Sequence, residues 1–241
     1  EIQDVPAICK VAKKHGIVTI LDNSWSSGIC YKPLEHGVDI AMYSLTKYFS
    51  GHNDIMMGAV VADGKIFERL YSSYRNYGIS VHSEDCYLAH RGLRTLPIRM
   101  ERHYQTALKV TDWIKSHKKI NRILYPPLSS HPQHHIWKRD FSGAGGLFSI
   151  ILDQRYSNSE LGNMVNHMNV FSIGASWGGC DSLILPVQIE PARSIMKYDF
   201  NNASCIRVFC GLEDPEDLIA DIELALERLP NKSEFSNDRS V

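Results

Sequence analysis

The sequence predicts an α/β fold: a mostly parallel sheet within residues 1–93, then an α+β unit over residues 94–241. Three observations carry this. Apolar runs at Ile17–Leu21 and Val38–Met42 are joined by a short crossover, which suits two parallel strands. From Leu96 to about His117, Met100, Tyr104, Ala107, Val110 and Ile114 recur every three or four residues, giving one apolar helix face. Such a long helix suits a link between two units, with the joint near Arg94. Beyond it, apolar runs alternate with polar segments and a second helix pattern.

The elements follow in order. Asp4 before Val5-Pro6 is an N-cap with proline in the first turn, and Gly16 closes that helix. Ile8, Val11 and Ala12 share its apolar face. The first strand ends at Leu21-Asp22, and a polar loop, Asn23–Gly28, follows. Pro33–Gly37 fits a helical turn, and Val38, Ile40 and Met42 read as a buried strand that leaves the sheet at Ser44, Thr46 and Lys47. A further strand is expected over 55–62, and helices over 64–77 and 82–90. The second half predicts strands at Ile120–Tyr125, Leu147–Leu152, Phe171–Ala175 and Cys205–Cys210, and helices at Ser159–Met168 and Pro215–Leu229. Asp214, Pro215, Glu216 and Asp217 form a strong helix start. Residues 230–241 read as a polar, frayed tail.

Composition narrows the function classes. A net charge of −1 over 241 residues gives no basic excess for nucleic acid or an anionic membrane. No apolar run approaches the ~18–20 residues of a membrane span. The six cysteines are scattered, with no C-x-x-C or zinc spacing, which fits reduced thiols and a cytoplasmic location. His131, His134 and His135 lie in a Pro-rich loop with no ligand spaced to complete a metal site, so no metal is expected. The chain starts without Met and enters a helix at once, as though inside a domain.

Chemistry concentrates at two strand ends. In open α/β sheets, ligands bind beyond the carboxyl ends of the strands. Lys47 there can form a Schiff base with an aldehyde, and the Ser44 and Thr46 hydroxyls can hold a phosphate. Asp22, at the end of the neighbouring strand, can keep a pyridine nitrogen protonated. Pyridoxal phosphate needs this combination. A surface lysine after a strand and a loop carboxylate are the plain alternatives. Ser44-Leu45-Thr46-Lys47 also matches the S-x-x-K of serine β-lactamases, but that motif starts a helix and is accompanied by S-D-N and K-T-G, neither of which occurs. Trp177 N–H, after Ser176, can donate to a ligand carboxylate, or the indole can simply pack in a tight turn. Arg207 faces away from Ile206, Val208 and Cys210 on its strand, and needs either a fixed acid or a substrate carboxylate.

Leu21-Asp22-Asn23, Ser44–Tyr48 with Gly51–Asp54, and Gly58 resemble the signature of the Cys/Met-metabolism family of pyridoxal-phosphate enzymes. The similarity runs from Val5 to about Leu229. Ser176-Trp177-Gly178-Gly179, Arg91–Leu96 and Trp137–Phe141 resemble its cystathionine β-lyase subgroup. The resemblance implies a fold-type-I transferase architecture, of which this chain is a large-domain remnant plus the C-terminal domain. It implies Lys47 as the Schiff-base residue and proton carrier, Asp22, Ser44 and Thr46 as cofactor ligands, and Ser176, Trp177 and Arg207 on the substrate carboxylate. The implied reaction is α,β-elimination of cystathionine to homocysteine, pyruvate and ammonia in methionine biosynthesis. Other activities of the family are γ-elimination, γ-replacement and alanine racemisation, and a non-catalytic fragment is a further alternative. Family members are longer homotetramers whose N-terminal part supplies further cofactor contacts.

Overall fold

In a computed structural model, the described residues are 1–188 and 203–231, so most of the expected frayed tail lies outside them. The chain builds two sheets. Helix α1 (Val5–Lys14) starts at the Asp4 cap, whose carboxylate accepts from Ala7 N at 3.1 Å. It buries Val5 and Cys9 against Tyr31 and Val38, while Ile8 and Val11 stay exposed, contrary to the expected face. A helix stripe shows what can be buried. What is buried depends on the neighbour, here the short 3-10 turn Pro33–His36 and the strand after it.

Strands β1 (Ile20–Asp22) and β2 (Ile40–Ser44) pair in parallel, with Asp22 opposite Met42. Strand β3 (Gly58–Val61) completes the sheet antiparallel to β2, so order β1-β2-β3 is mixed. β1 is three residues long, at the sheet edge, and Ile17, Val18 and Ile20 are exposed. Val38 and Ile40 are buried as expected, and Met42 is exposed. Helices α2 (Gly64–Asn76), α3 (Ser83–Leu93) and α4 (Leu96–Ile114) follow. α4 buries the predicted stripe of Met100, Ala107, Val110 and Ile114, with Tyr104 half-buried.

Past α4, β4 (Ile120–Leu124), α5 (His134–Asp140), β5 (Leu147–Leu152), α6 (Asn158–Val165), β6 (Ser172–Ile173), β7 (Leu183–Val187), β8 (Cys205–Phe209) and α7 (Pro215–Glu227) complete the chain. The second sheet runs β4-β5-β8-β7-β6. β5 and β8 are central and antiparallel, with Ser149 opposite Arg207. Ile206, Val208 and Cys210 enter a core with α4, α6 and α7, and Phe209 turns the other way. α5 and β7 carry no strong period in the sequence and were not expected. α5 is a single short helix, and β7 contains Pro186. Among the described residues, no helix is long and apolar enough to cross a membrane.

A small cluster ties the two sheets together. Tyr48, Leu96, Met100, Phe209 and Cys30 are buried in it, immediately after Lys47. The Tyr48 hydroxyl accepts from Gly146 N at 3.0 Å, and its ring meets His103 and Phe209 edge-on. Burying an aromatic of this size contributes roughly 2–3 kcal/mol. The anchor therefore sits one residue from the lysine.

Candidate active site

β2 ends at Ser44, and the chain turns tightly through Lys47: Lys47 N donates to Ser44 O at 3.2 Å and Gly51 N to Lys47 O at 2.9 Å. No helix begins at Ser44, which removes the β-lactamase-type alternative. Lys47 Nζ donates to Ser176 Oγ at 2.7 Å and lies 4.7 Å from the Trp177 ring centroid. Arg207 Nη2 donates to Ser176 O at 2.9 Å, and its guanidinium carbon lies 5.6 Å from the same ring. Four of the expected residues, Lys47, Ser176, Trp177 and Arg207, thus meet, with 129 positions of sequence between Lys47 and Ser176 and a further 31 to Arg207. Burial, and secondarily the Arg207 charge, holds the Lys47 amine below the usual lysine range. A lowered amine pKa raises the neutral, nucleophilic fraction.

The backbone that carries Trp177 is pressed onto the lysine. Gly178 has φ +91°, and a Cβ built there would lie 2.6 Å from Tyr48 N and 2.8 Å from Lys47 C. Only glycine lets these two backbone segments approach this closely.

Asp22 is on the same rim, at the end of the parallel neighbour of β2. Its side chain is exposed, and Oδ1 accepts from Ser24 N at 2.9 Å. The loop behind it is buried and bonded to itself: Ser26 Oγ donates to Asn23 Oδ1, and Asn23 Nδ2 donates to Tyr31 O at 3.0 Å. Asp22 borders two hollows. One, of about 470 Å³, is shared with Ser44, Thr46 and Met57. The other, of about 390 Å³, is shared with Tyr31, Phe141, Ser149 and Arg207. Ser44 N donates to Ser24 Oγ at 2.7 Å. The Thr46 hydroxyl accepts from Met57 N at 3.0 Å and donates to Met57 O at 3.4 Å, so it also fastens the loop before β3.

Two features show how well a pyridoxal-phosphate group fits these residues. Trp177 Nε1 is buried with no hydrogen-bond partner among the described residues, a donor left for a ligand acceptor. Asp22 offers an exposed carboxylate at the rim bordering both hollows. The set fits the group. Among the described residues, no cluster of three or more His, Cys, Asp or Glu could hold a metal ion. His134 is engaged with Pro126 O at 3.0 Å, and His131 accepts from Gln133 N at 3.1 Å.

Sequence reading missed Arg99. It is buried in the first turn of α4, and its guanidinium donates to Tyr48 O, Phe49 O and Gly92 O. A signal was present. Leu96, Arg99, Met100 and His103 fall at helical spacing, so an arginine and a histidine stand inside an apolar stripe.

Fold and geometry define a class: an α/β protein with a strand-end lysine, partly desolvated, facing an arginine. The chain belongs to the Cys/Met metabolism PLP-dependent enzyme family, whose sequence model matches residues 1–227. It is 58% identical to an L-alanine/L-glutamate racemase from Wolbachia pipientis wMel, over 95% of this chain and 57% of the racemase. It is 37% identical to the cystathionine β-lyase MetC from Escherichia coli K12, over 95% of this chain and 59% of that enzyme. A crystal structure of cystathionine γ-synthase from Xanthomonas oryzae pv. oryzae superposes with TM-score 0.83 at 31% identity, covering 95% of this chain and 60% of that one. The chain thus spans under two thirds of the length of these relatives. The fold is that of the PLP-dependent γ-synthases and γ-lyases, and the family's cofactor is pyridoxal 5′-phosphate.

Proposed function

We propose that this chain carries the lysine side of a pyridoxal-phosphate active site and acts in α,β-elimination of cystathionine. With water the products are homocysteine, pyruvate and ammonia. Bound pyridoxal phosphate supplies an aldehyde and an electron-accepting ring. Lys47 takes the proton from the substrate Cα and returns one to the departing sulfur. Arg207 binds the α-carboxylate as a charge-assisted pair, with Trp177 Nε1 as a second donor. Ser176 Oγ, 2.7 Å from Lys47 Nζ, orients the amine between these steps. Asp22 is assigned to the ring nitrogen, and Ser44 and Thr46 to the phosphate.

The observation that carries the reading is Lys47 Nζ held between Ser176 and the Trp177 face, beside Arg207. Similarity to enzymes called cystathionine β-lyases at 37–42% identity supports elimination. A second reading, amino-acid racemisation, is supported by the 58% identity to the racemase. Both need proton removal from Cα, and they differ in where the proton is returned.

Product analysis decides between them. The chain supplied with pyridoxal phosphate and L-cystathionine should release pyruvate, and Lys47→Ala should release none. D-alanine from L-alanine without pyruvate from cystathionine would replace elimination with racemisation. A borohydride-reduced cofactor adduct that survives in Lys47→Ala would remove the lysine assignment.

A further inference from the structure

We propose that Arg99 is the positioning residue for Lys47, locking the lysine's turn to the α3–α4 joint. This rests on the reading above only in taking Lys47 as the functional amine. The geometry is a fork with four acceptors: Tyr48 O at 2.7 Å, Phe49 O at 3.2 Å, Gly92 O at 2.8 Å and Thr95 Oγ1 at 3.0 Å. Two of these carbonyls belong to the residues directly after Lys47. The other two acceptors belong to the end of α3 and the residue before α4.

The arrangement is costly for a cation, which is why it points to a task. Arg99 is 6% exposed and has no carboxylate partner among the described residues. It stands in the first turn of α4, at the helix end whose dipole disfavours positive charge. Among the described residues, the main compensation is the set of acceptors it gathers, including a carbonyl of the last turn of α3. Glycines make room on both sides. A Cβ on Gly51 would collide with the guanidinium, and one on Gly92 would lie 2.5 Å from Ser50 O. The turn is thus held by Arg99 at Tyr48 O and Phe49 O and packed by Gly178 against Lys47 C and Tyr48 N, with the Lys47 amine on Ser176 Oγ. A lysine at position 99 could not span the same acceptors, because a single ammonium lacks the planar fork.

The test is the pH titration of the Lys47 amine, read by competitive acetylation and peptide mapping of the 241-residue chain without cofactor. Borohydride trapping of pyridoxal phosphate on Lys47 is measured in parallel. In Arg99→Lys the turn relaxes and the amine gains water, so its titration midpoint should rise. Each unit of rise lowers the neutral fraction, and with it the trapping rate, about tenfold at neutral pH. Thr95→Val removes one acceptor and should shift the midpoint less, in the same direction. Lys119→Met is the control for general destabilisation. Lys119 is buried and donates to Leu229 O and Pro230 O at 2.8 and 2.7 Å, far along the chain from Lys47. At matched loss of thermal stability it should leave the Lys47 midpoint at its wild-type value. An unchanged midpoint in folded Arg99→Lys overturns the proposal. If Arg99→Lys does not fold, an unchanged midpoint in Thr95→Val overturns it. An equal shift in Lys119→Met also overturns it. Failure to trap cofactor on wild-type Lys47 would count against the function reading alone, since the titration needs no cofactor.

Discussion

Gly178→Ala separates two contributions that the structure superimposes. The residue sits at φ +91°, and its Cα faces the Lys47–Tyr48 peptide so closely that a Cβ would come within 2.6 Å of Tyr48 N. The backbone conformation alone costs a non-glycine residue roughly 1–2 kcal/mol. The collision adds more, because the atoms nearest that Cβ, Tyr48 N, Lys47 C and Lys47 Cα, are all main chain and cannot rotate aside. Gly16 provides the comparison. It has φ +64°, with nothing within 4 Å of a built Cβ, so Gly16→Ala should show the conformational cost by itself, about 1 kcal/mol. Gly178→Ala should lose roughly 2–4 kcal/mol, overpacking included. Urea unfolding of both variants gives the two values, and their difference is the steric part. Acetylation of Lys47 in folded Gly178→Ala should also change, since relief parts the Trp177 loop from the lysine's turn. Equal losses in the two variants, with unaltered Lys47 reactivity, would refute the idea that the Trp177 loop presses on the turn.

Three further outcomes are expected. Burial, partly opposed by hydrogen bonds to Cys210 O and Gly211 O, pushes His103 down to about 4. The unfolded chain then binds more protons between pH 6.5 and 4, so stability is complete above this window and falls by about 3 kcal/mol as pH drops through it. His131, also pushed down to about 4 chiefly by burial, adds to the fall, and His103→Gln should flatten the part due to His103 in urea titrations at stepped pH. Asp221→Ala strips the acceptor from Asn169 N, Val170 N and Phe171 N, and denaturation should show a loss of roughly 3–5 kcal/mol. Arg207→Met should lower kcat/KM for the amino-acid substrate at least ~100-fold through the lost carboxylate pair, while cofactor trapping on Lys47 persists. Loss of trapping in that variant would show that Arg207 serves the lysine rather than the substrate.

Much of this protein is legible in the chain itself, wherever the deciding interaction is local. Asp4 and Asp214 cap their helices because a short carboxylate reaches the next free N–H groups. The α4 stripe and the alternation around Arg207 follow from periods of 3.6 and 2. The rim shared by Asp22 and Lys47 follows from two parallel strands ending in the same direction. What the sequence could not decide is which surfaces face each other. Ile17, Val18 and Ile20 have the apolarity of a buried strand, yet β1 is an edge and leaves them exposed, because burial depends on what lies alongside. The contact of Lys47 with Ser176 and the grip of Arg99 on Tyr48 and Phe49 span 129 and about 50 positions. No periodicity encodes contacts at that range. They exist because packing around Tyr48, Met100 and Phe209 brings the two sheets together. The residues of the site were therefore set by the sequence, and their meeting was set by the shared core beneath them.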